Sequence, residues 1–387
     1  GKFDEAWNQY HRVLDYAPNH PVAVKMMRVL VGKLSKQPEE IRPPFRIAKP
    51  LKMEPVPVLD ELSGSARVRV GIGTGNTGRQ RRNNIFKFRS YHGLDVIGKT
   101  SGRLYAGVPP DEIWTVLYEN GKLVLKDPKG VVYGNFTGAL LIRPKDPKHG
   151  TVILESCRES RNPFFAYSDR EYRGEIELAP MKGQGIRIVN VVDMEVYLLG
   201  VVPSEVSAQW PYESLKAQAV LARTQAIIRR ARGGAHKADG YHMCDGEHCQ
   251  AYKGVMNEAN TTDRAVLETE GELLTYHGRP AYTFYHSNCG GYIQASKEVT
   301  GWGDVPYLTT HQDLPEGTAP PPDSPWAFHQ WITGEPEANC NYPGRVRASE
   351  YRWLRLIRQK DMEFRINRDY SIGGLLDLVP LRRSPSG

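Results

Sequence analysis

The sequence predicts an α+β fold, and three observations predict it. The first forty residues repeat apolar side chains at helical spacing. From residue 66 the chain breaks into short β-branched runs separated by turn residues. Beyond residue 171 a strand-like run, IRIVNVV, leads into two helical stretches. The expected organisation is a helical segment over 1–40, a Pro-rich linker over 41–65, a β-rich region over 66–170 and a mixed α/β domain over 171–387. A chain of 387 residues has room for two or three such domains.

The helical front end comes first. GKFDEAWNQYHRVLDYAPNH sets Ala6, Tyr10, Val13 and Leu14 at helical spacing and stops at Pro18. HPVAVKMMRVLVGKL reads as a second helix. The offsets of the small residues, the aromatic and the closing Pro resemble the second helix of a tetratricopeptide repeat. That resemblance implies a partner-docking array, continued upstream because a stable array needs about three or more repeats.

KQPEEIRPPFRIAKPLKMEPVPVLDE follows, and its repeated Pro predicts an extended, semi-rigid spacer. ARVRVGIG, DEIWTVLYENGKLVLKD, GALLIRPK and GTVILES then read as strands, with ENGK at 119–122 turning a hairpin. Gly73, Gly75 and Gly78 fit G-x-G-x-x-G, but a dinucleotide fingerprint needs a helix opening on the third Gly. RQRRNNIFKFRS comes next instead, so the motif reads as a flexible basic loop.

The most informative stretch runs from Val201 to Cys249 and opens with VVPSEVSAQWP. Glu205 is bracketed by Val201, Val202 and Pro203, then by Val206 and Trp210. A carboxyl in apolar surroundings favours its neutral form, moving up from about 4.3, and so suits a proton donor. Ser204 capping a short helix would oppose this. Full burial is worth about 3–5 pKa units and a helix end under about one, so enclosure would win. Asp193 should begin a short helix before this turn. A long helix over about 212–232 carries Leu215, Ala219, Ala222 and Ala226 as its apolar stripe, with Arg223 embedded among them as a candidate partner for a carboxylate near the site. Beyond it His236, His242, Cys244, His248 and Cys249 crowd together. Spacing alone leaves a zinc site, reduced thiols or a Cys244–Cys249 disulfide open. In YHSNCGG, Tyr285, His286, Ser287 and Asn288 supply polar groups suited to a sugar beside Gly290 and Gly291. Trp302 and Tyr307 offer stacking faces, and Cys289 lacks an orienting partner for a nucleophile.

YRGEIEL, NVVDMEVYLLGVVPSE, LKAQAVLARTQA, DGEHCQAYKG, YHSNCGG and WGDVPYLTT, in that order over roughly 170–385, resemble the SpoIID/LytB family of bacterial peptidoglycan proteins. The resemblance implies a lytic transglycosylase that cleaves the MurNAc–GlcNAc β-1,4 bond to 1,6-anhydro ends, with the Glu of P-S-E, Glu205, as the single acid and base. It also implies a structural zinc held by His236, Cys244, His248 and Cys249, a glycan-binding surface that takes in Arg223, Tyr285, His286, Ser287, Asn288 and Trp302, and an extracytoplasmic location. A non-catalytic amidase enhancer or an envelope scaffold are the other functions it allows. The C-terminal LLDLVPLRRSPSG matches a family strand that runs on further.

Charge and hydropathy bound the partners. Fifty-one Lys and Arg against 44 Asp and Glu give +7, which suits an anionic polymer or surface without choosing one. The expected partner is peptidoglycan, not nucleic acid. No apolar run reaches 18 residues, so no transmembrane segment is expected. There is no basic-then-apolar leader, and any signal peptide is expected to have been removed already or to lie outside this sequence.

Overall fold

Helical spacing at the front becomes a helical hairpin. In the computed structural model, α1 (Lys2–Tyr16) and α2 (Pro21–Val31) bury Trp7, Leu14, Ala23, Met27 and Leu30 against each other. The His20 ring accepts the Ala23 N–H at 3.2 Å, and Pro21 fills the first helical position, where no N–H is needed. A hairpin of this kind is common to many helical folds, so it does not decide the repeat family; Pro18 lies outside the described residues. The structure describes residues 1–16, 20–52, 66–75, 77–157, 168–231, 236–299, 301–314, 324–334, 337–341, 346, 351–352 and 356–378. The chain divides into two units, Gly1–Thr283 and Phe284–Gly387.

A short helix, α3 (Pro38–Ile41), ends the helical segment. The described part of the Pro-rich stretch after it, up to residue 52, is a strap, and 53–65 lie outside the described residues. Phe45 N–H donates to Ser168 Oγ at 3.1 Å, Ile47 N–H to Asp169 at 3.1 Å and Leu51 N–H to Glu171 at 3.0 Å. Asp169 N–H returns a bond to the Phe45 carbonyl at 2.9 Å. Phe45, Ile47 and Leu51 therefore place their N–H groups on the β-rich body, where a free spacer would leave them to water.

The strands are β1 (Arg67–Gly71), β2 (Ile85–Arg89), β3 (Leu94–Gly98), β4 (Leu104–Val108), β5 (Trp114–Glu119) and β6 (Lys122–Lys126). They continue with β7 (Val132–Phe136), β8 (Leu140–Pro144), β9 (Val152–Cys157), β10 (Ser168–Tyr172), β11 (Glu175–Met181), β12 (Gly185–Asp193) and β13 (Met243–Cys244). Seven form a sheet in the order β13-β1-β12-β11-β8-β3-β4, and six form a second in the order β10-β9-β2-β5-β6-β7. Their apolar faces share one core, in which Val68, Val70, Ile142 and Leu178 of the first sheet join Phe88, Val116 and Leu125 of the second. The expected hairpin at 119–122 is present: Asn120 and Gly121 both take positive φ, 50° and 81°, as its two-residue turn requires. IFKFR, for which no helix was expected, is β2; it buries Phe86 and Phe88 while Ile85 and Lys87 face out.

Asp193 precedes α4 (Met194–Glu205), as expected. This helix buries every residue from Met194 to Val202, the mark of a core helix. It packs against α5 (Tyr212–Ala231) and α6 (Asn260–Glu268). The Leu215, Ala219, Ala222 and Ala226 stripe of α5 is fully buried, its small side chains permitting the close approach. Gly200 is required here, because a Cβ on it would lie 2.7 Å from the Tyr252 ring and 2.8 Å from the Gly254 carbonyl.

The described residues of the second unit form short elements. Its two-residue strands β16 (Tyr292–Ile293) and β17 (His311–Gln312) pair beside a small core of Tyr292, Leu314, Ala338 and Tyr351; β14 (Thr275–Tyr276) and β15 (Arg279–Pro280) form a separate pair before it. The helices α7 (Pro325–Thr333) and α8 (Gln359–Tyr370) follow. Among the described residues no helix is long and apolar enough to cross a membrane.

Candidate functional site

Glu205 is the last residue of α4, one turn beyond the fully buried part of the helix. Sequence reasoning put it in an apolar turn and weighed a helix start capped by Ser204 against burial; the structure puts a helix end there instead. Ser204 sits in the last turn and donates its hydroxyl to the Gly200 carbonyl at 2.7 Å, while accepting from the Asn257 amide at 3.3 Å. The negative end of the helix dipole therefore opposes charge on Glu205. Val201 and Val202 point into the core, Trp210 is 40% exposed, and Glu205 itself is half-buried at the rim. Its Oε1 accepts the Ala251 N–H at 2.6 Å, a bond that favours the ionised form and fixes the carboxyl's orientation.

Ala251 is held from both sides in sequence. Gln250 before it accepts from the Tyr197 hydroxyl at 3.0 Å and donates to the Ala222 carbonyl at 3.3 Å. Tyr252 after it donates to Asn190 Oδ1 at 2.7 Å. Immediately upstream stand His248 and Cys249, so the segment that orients Glu205 grows directly out of the Cys/His cluster.

That cluster is assembled from three places. His236 follows α5, Cys244 lies on β13 beside Gly71 of β1, and His248 and Cys249 sit on the turn after β13. Their four donor atoms lie within 4.8 Å of one another. His236 Nε2 is 3.3 Å from His248 Nδ1, and the Cys244 and Cys249 sulfurs are 3.7 and 3.6 Å from the same nitrogen. Zinc bonds of about 2.0–2.1 Å to nitrogen and about 2.3 Å to sulfur give tetrahedral edges of about 3.3 Å and about 3.6 Å. The donor set fits zinc. His236 Nδ1 also lies 3.3 Å from Asp239 Oδ2, the carboxylate support that leaves Nε2 for a metal. Cys249 is drawn down to about 7 by its hydrogen bond from Cys244, with the Arg229 guanidinium at 3.5 Å assisting, whereas the same bond pushes Cys244 up. Both thiols are free, so the Cys244–Cys249 disulfide is not formed. His242 stands apart from the cluster, its Nδ1 accepting the Arg69 N–H at 3.2 Å.

The Gly-rich loop, expected to be flexible, is the cluster's roof. Asp245 accepts the N–H groups of Gly73 and Thr74 at 2.7 and 3.1 Å, and the Tyr241 hydroxyl donates to the Gly78 carbonyl at 2.6 Å. Gly78 lies so close that a Cβ would meet His236 Cε1 at 2.3 Å, its Nε2 at 2.5 Å and His248 Nδ1 at 2.9 Å. A dinucleotide reading is excluded because the loop leads into antiparallel β2, not a helix. Asp239, Asp245, Gly78 and Ala251 were missed from the sequence. Only the Asp three residues after His236 and the Asp beside Cys244 offered a signal.

The expected substrate residues separate. Arg223 is 1% exposed, and its guanidinium donates to both Glu195 oxygens at 2.8 and 2.7 Å and to the Val266 carbonyl at 3.1 Å. It meets a carboxylate, as expected, but as a strut between α4, α5 and α6. Tyr285, His286, Ser287, Asn288 and Trp302 belong to the second unit. There His286 and Ser287 are exposed, and Trp302, 47% exposed, stacks on Phe284 with centroids 4.2 Å apart. Burial pushes the Cys289 thiol up to about 12, so at rest it keeps its proton, which points at Asp313.

Residues 182–276, which contain α4, Glu205 and the whole cluster, match the SpoIID family model, described as stage II sporulation protein. This stretch of the chain is thus similar to the SpoIID/LytB family. An amidase enhancer of Bacillus subtilis is 39% identical over 117 residues, 30% of this chain and 15% of that protein. Stage II sporulation protein D of the same organism is 33% identical over 133 residues, 31% of this chain and 38% of that protein. An uncharacterized protein of Brachyspira hyodysenteriae is 34% identical over 144 residues, 37% of this chain and 38% of that one. The matched stretch thus spans well under half of each relative. Within residues 182–276 Glu205 and the four metal-type ligands form one continuous arrangement through residues 248–251.

Proposed function

We propose that this SpoIID-like chain acts on the bacterial cell wall as a peptidoglycan lytic transglycosylase, with Glu205 as its single acid and base. The observation that carries the reading is the Ala251 N–H held 2.6 Å from Glu205 Oε1, which presents one oriented carboxyl at the rim of a rigid helix. Glu205 in its neutral form gives a proton to the glycosidic oxygen, and the bond from C1 of N-acetylmuramic acid breaks. The carboxylate left behind takes the proton of the C6 hydroxyl, whose oxygen closes on C1. The product is a 1,6-anhydro sugar, no water is consumed, and the acid is restored. One carboxyl serves both steps, unlike the pair a glycoside hydrolase needs. The Ala251 amide supports the charged intermediate form, and the α4 C-terminus helps return it to neutral.

His236, Cys244, His248 and Cys249 would hold a zinc ion whose four protein ligands leave no open position, so it supplies cross-linking and folding energy rather than chemistry. Held there, residues 248–251 would keep the Ala251 N–H where it meets Glu205. The envelope location and the glycan-binding role of the second unit, including Trp302, belong to the same proposal, as does a protein partner for the N-terminal helices.

The test is Glu205→Gln on purified sacculi, with soluble muropeptides read by mass spectrometry. The variant should release none while still sedimenting with the wall; full activity would overturn the reading. The likeness to an amidase enhancer favours a second reading, stimulation of a wall amidase without glycan cleavage. In that case wild type and Glu205→Gln would stimulate the amidase equally and neither would cut the strand.

A further inference from the structure

We infer that Cys289 and Cys340 are a disulfide-forming pair that staples the second unit. The two sulfurs and Asp313 lie within 4.8 Å of one another, and Cys289 Sγ donates to Asp313 Oδ2 at 3.2 Å. The backbone around them is already tied: Asn288 Nδ2 donates to the Cys340 carbonyl at 2.7 Å, Asp313 N–H to the Gly291 carbonyl at 2.9 Å, and Asn339 N–H to the Asp313 carbonyl at 3.2 Å. Three separate segments, around 289, 313 and 340, meet there, and among the described residues the strands beside them are two residues long and the apolar cluster holds four buried side chains. Small cores of this kind are where a covalent cross-link adds most. Among the described residues no fourth His, Cys, Asp or Glu joins the group, so a tetrahedral metal site is incomplete, whereas a disulfide needs only the two sulfurs. Both cysteines are half-buried and free.

The oxidant is an external disulfide, R–S–S–R. The Cys340 thiolate attacks one of its sulfurs, forming a mixed disulfide and releasing one R–S⁻. Cys289 then passes its proton to Asp313, attacks Cys340 Sγ and releases the second R–S⁻. Two cysteine thiols are oxidised, one external disulfide is reduced, and the two protons end on the two released thiolates. The closed bond fixes the Asn288–Gly291 turn to the 338–341 segment. For its cellular oxidant the inference rests on the envelope location that belongs to the proposed function.

Purified full-length protein is incubated with oxidised glutathione, alkylated, digested without reductant and read by mass spectrometry. The expected result is a Cys289–Cys340 peptide pair lacking two hydrogens, with Cys157 alkylated. The pair is lost in Cys289→Ser, and reduction of the wild type lowers its melting temperature. Alkylation of both Cys289 and Cys340 after full exposure to the oxidant would overturn the inference. So would retention of about one metal ion per chain by a Cys244→Ser, Cys249→Ser double variant, which would assign the pair to a cation. Because the oxidant is supplied in vitro, failure of wall digestion would leave this result intact, and failure of the cross-link would leave the wall activity intact.

Discussion

Replacing Gly78 by Ala should loosen the proposed zinc site without touching a ligand. Built on the Gly78 backbone, the new methyl would sit 2.3 Å from His236 Cε1 and 2.5 Å from the Nε2 that faces the other donors. An ordinary contact is about 3.5–4.0 Å, so the ring or the loop must give by about 1 Å. Zinc ligands tolerate about 0.2 Å. The loop cannot simply lift, because Asp245 holds Gly73 and Thr74, and Tyr241 holds the Gly78 carbonyl. Gly78 also has φ +71°, which adds about 1–2 kcal/mol of strain for a residue with a Cβ. Outer-sphere changes typically weaken metal binding by about 10–100-fold, and this clash acts directly on a ligand, so the upper part of that range is expected. Competition of the zinc-loaded protein against a chromophoric chelator measures it, with circular dichroism as the control for folding. A folded Gly78→Ala protein that binds zinc within about twofold of wild type would refute the argument that the loop roofs the metal.

Other consequences are smaller in scope. Burial alone would raise the Glu177 carboxyl, but its bonds to Arg69 and Lys99 prevail and hold it at about 2 against an ordinary 4.5. That contribution, about 3 kcal/mol, is fully present above pH about 4.5 and is lost as pH falls towards about 2. Glu177→Gln should remove it at pH 7 and flatten the acid limb of a denaturation series; an unchanged acid limb would contradict the assignment. Arg223→Met strands Glu195 in the core and should cost about 3–5 kcal/mol by urea unfolding, whereas a surface sugar contact would cost almost nothing. Deleting residues 1–40 should leave the melting temperature of the rest near that of the whole chain, while deleting 1–52 should lower it by several degrees, because the second cut removes the strap bonded to Ser168, Asp169 and Glu171. Equal melting temperatures for the two truncations would make the strap dispensable.

Much of this architecture was legible where local patterns decide it. The alternation of IRIVNVV, the Asn-Gly turn and the small-residue stripe of α5 each state their structure within a few residues. What could not be read was set by distant partners. RPPFRIAKPL looks like a spacer because Pro disfavours regular structure, and only the carboxylates of β10 make it a strap. GTGNTG looks flexible because Gly is permissive, and only Asp245 and Tyr241 fix it. Glu205 was found from its neighbours, yet the helix start weighed beside it is a helix end, since P-S-E reads equally as the start of a helix or as its last turn around Pro203. Arg223 was assigned to substrate because a charge among Ala and Leu invites function; Glu195, 28 residues earlier, accounts for it instead.

The central claim is that one oriented carboxyl cuts the glycan strand without water. Digesting purified sacculi with the wild-type protein in heavy-oxygen water, and reading the soluble muropeptides by mass spectrometry, tests it most directly. The account predicts products that end in 1,6-anhydro sugars, each lacking one water and carrying no heavy oxygen at the cut. Reducing ends labelled with heavy oxygen would contradict it by showing hydrolysis, and sacculi left uncut would contradict it by showing that Glu205 does no glycan chemistry at all.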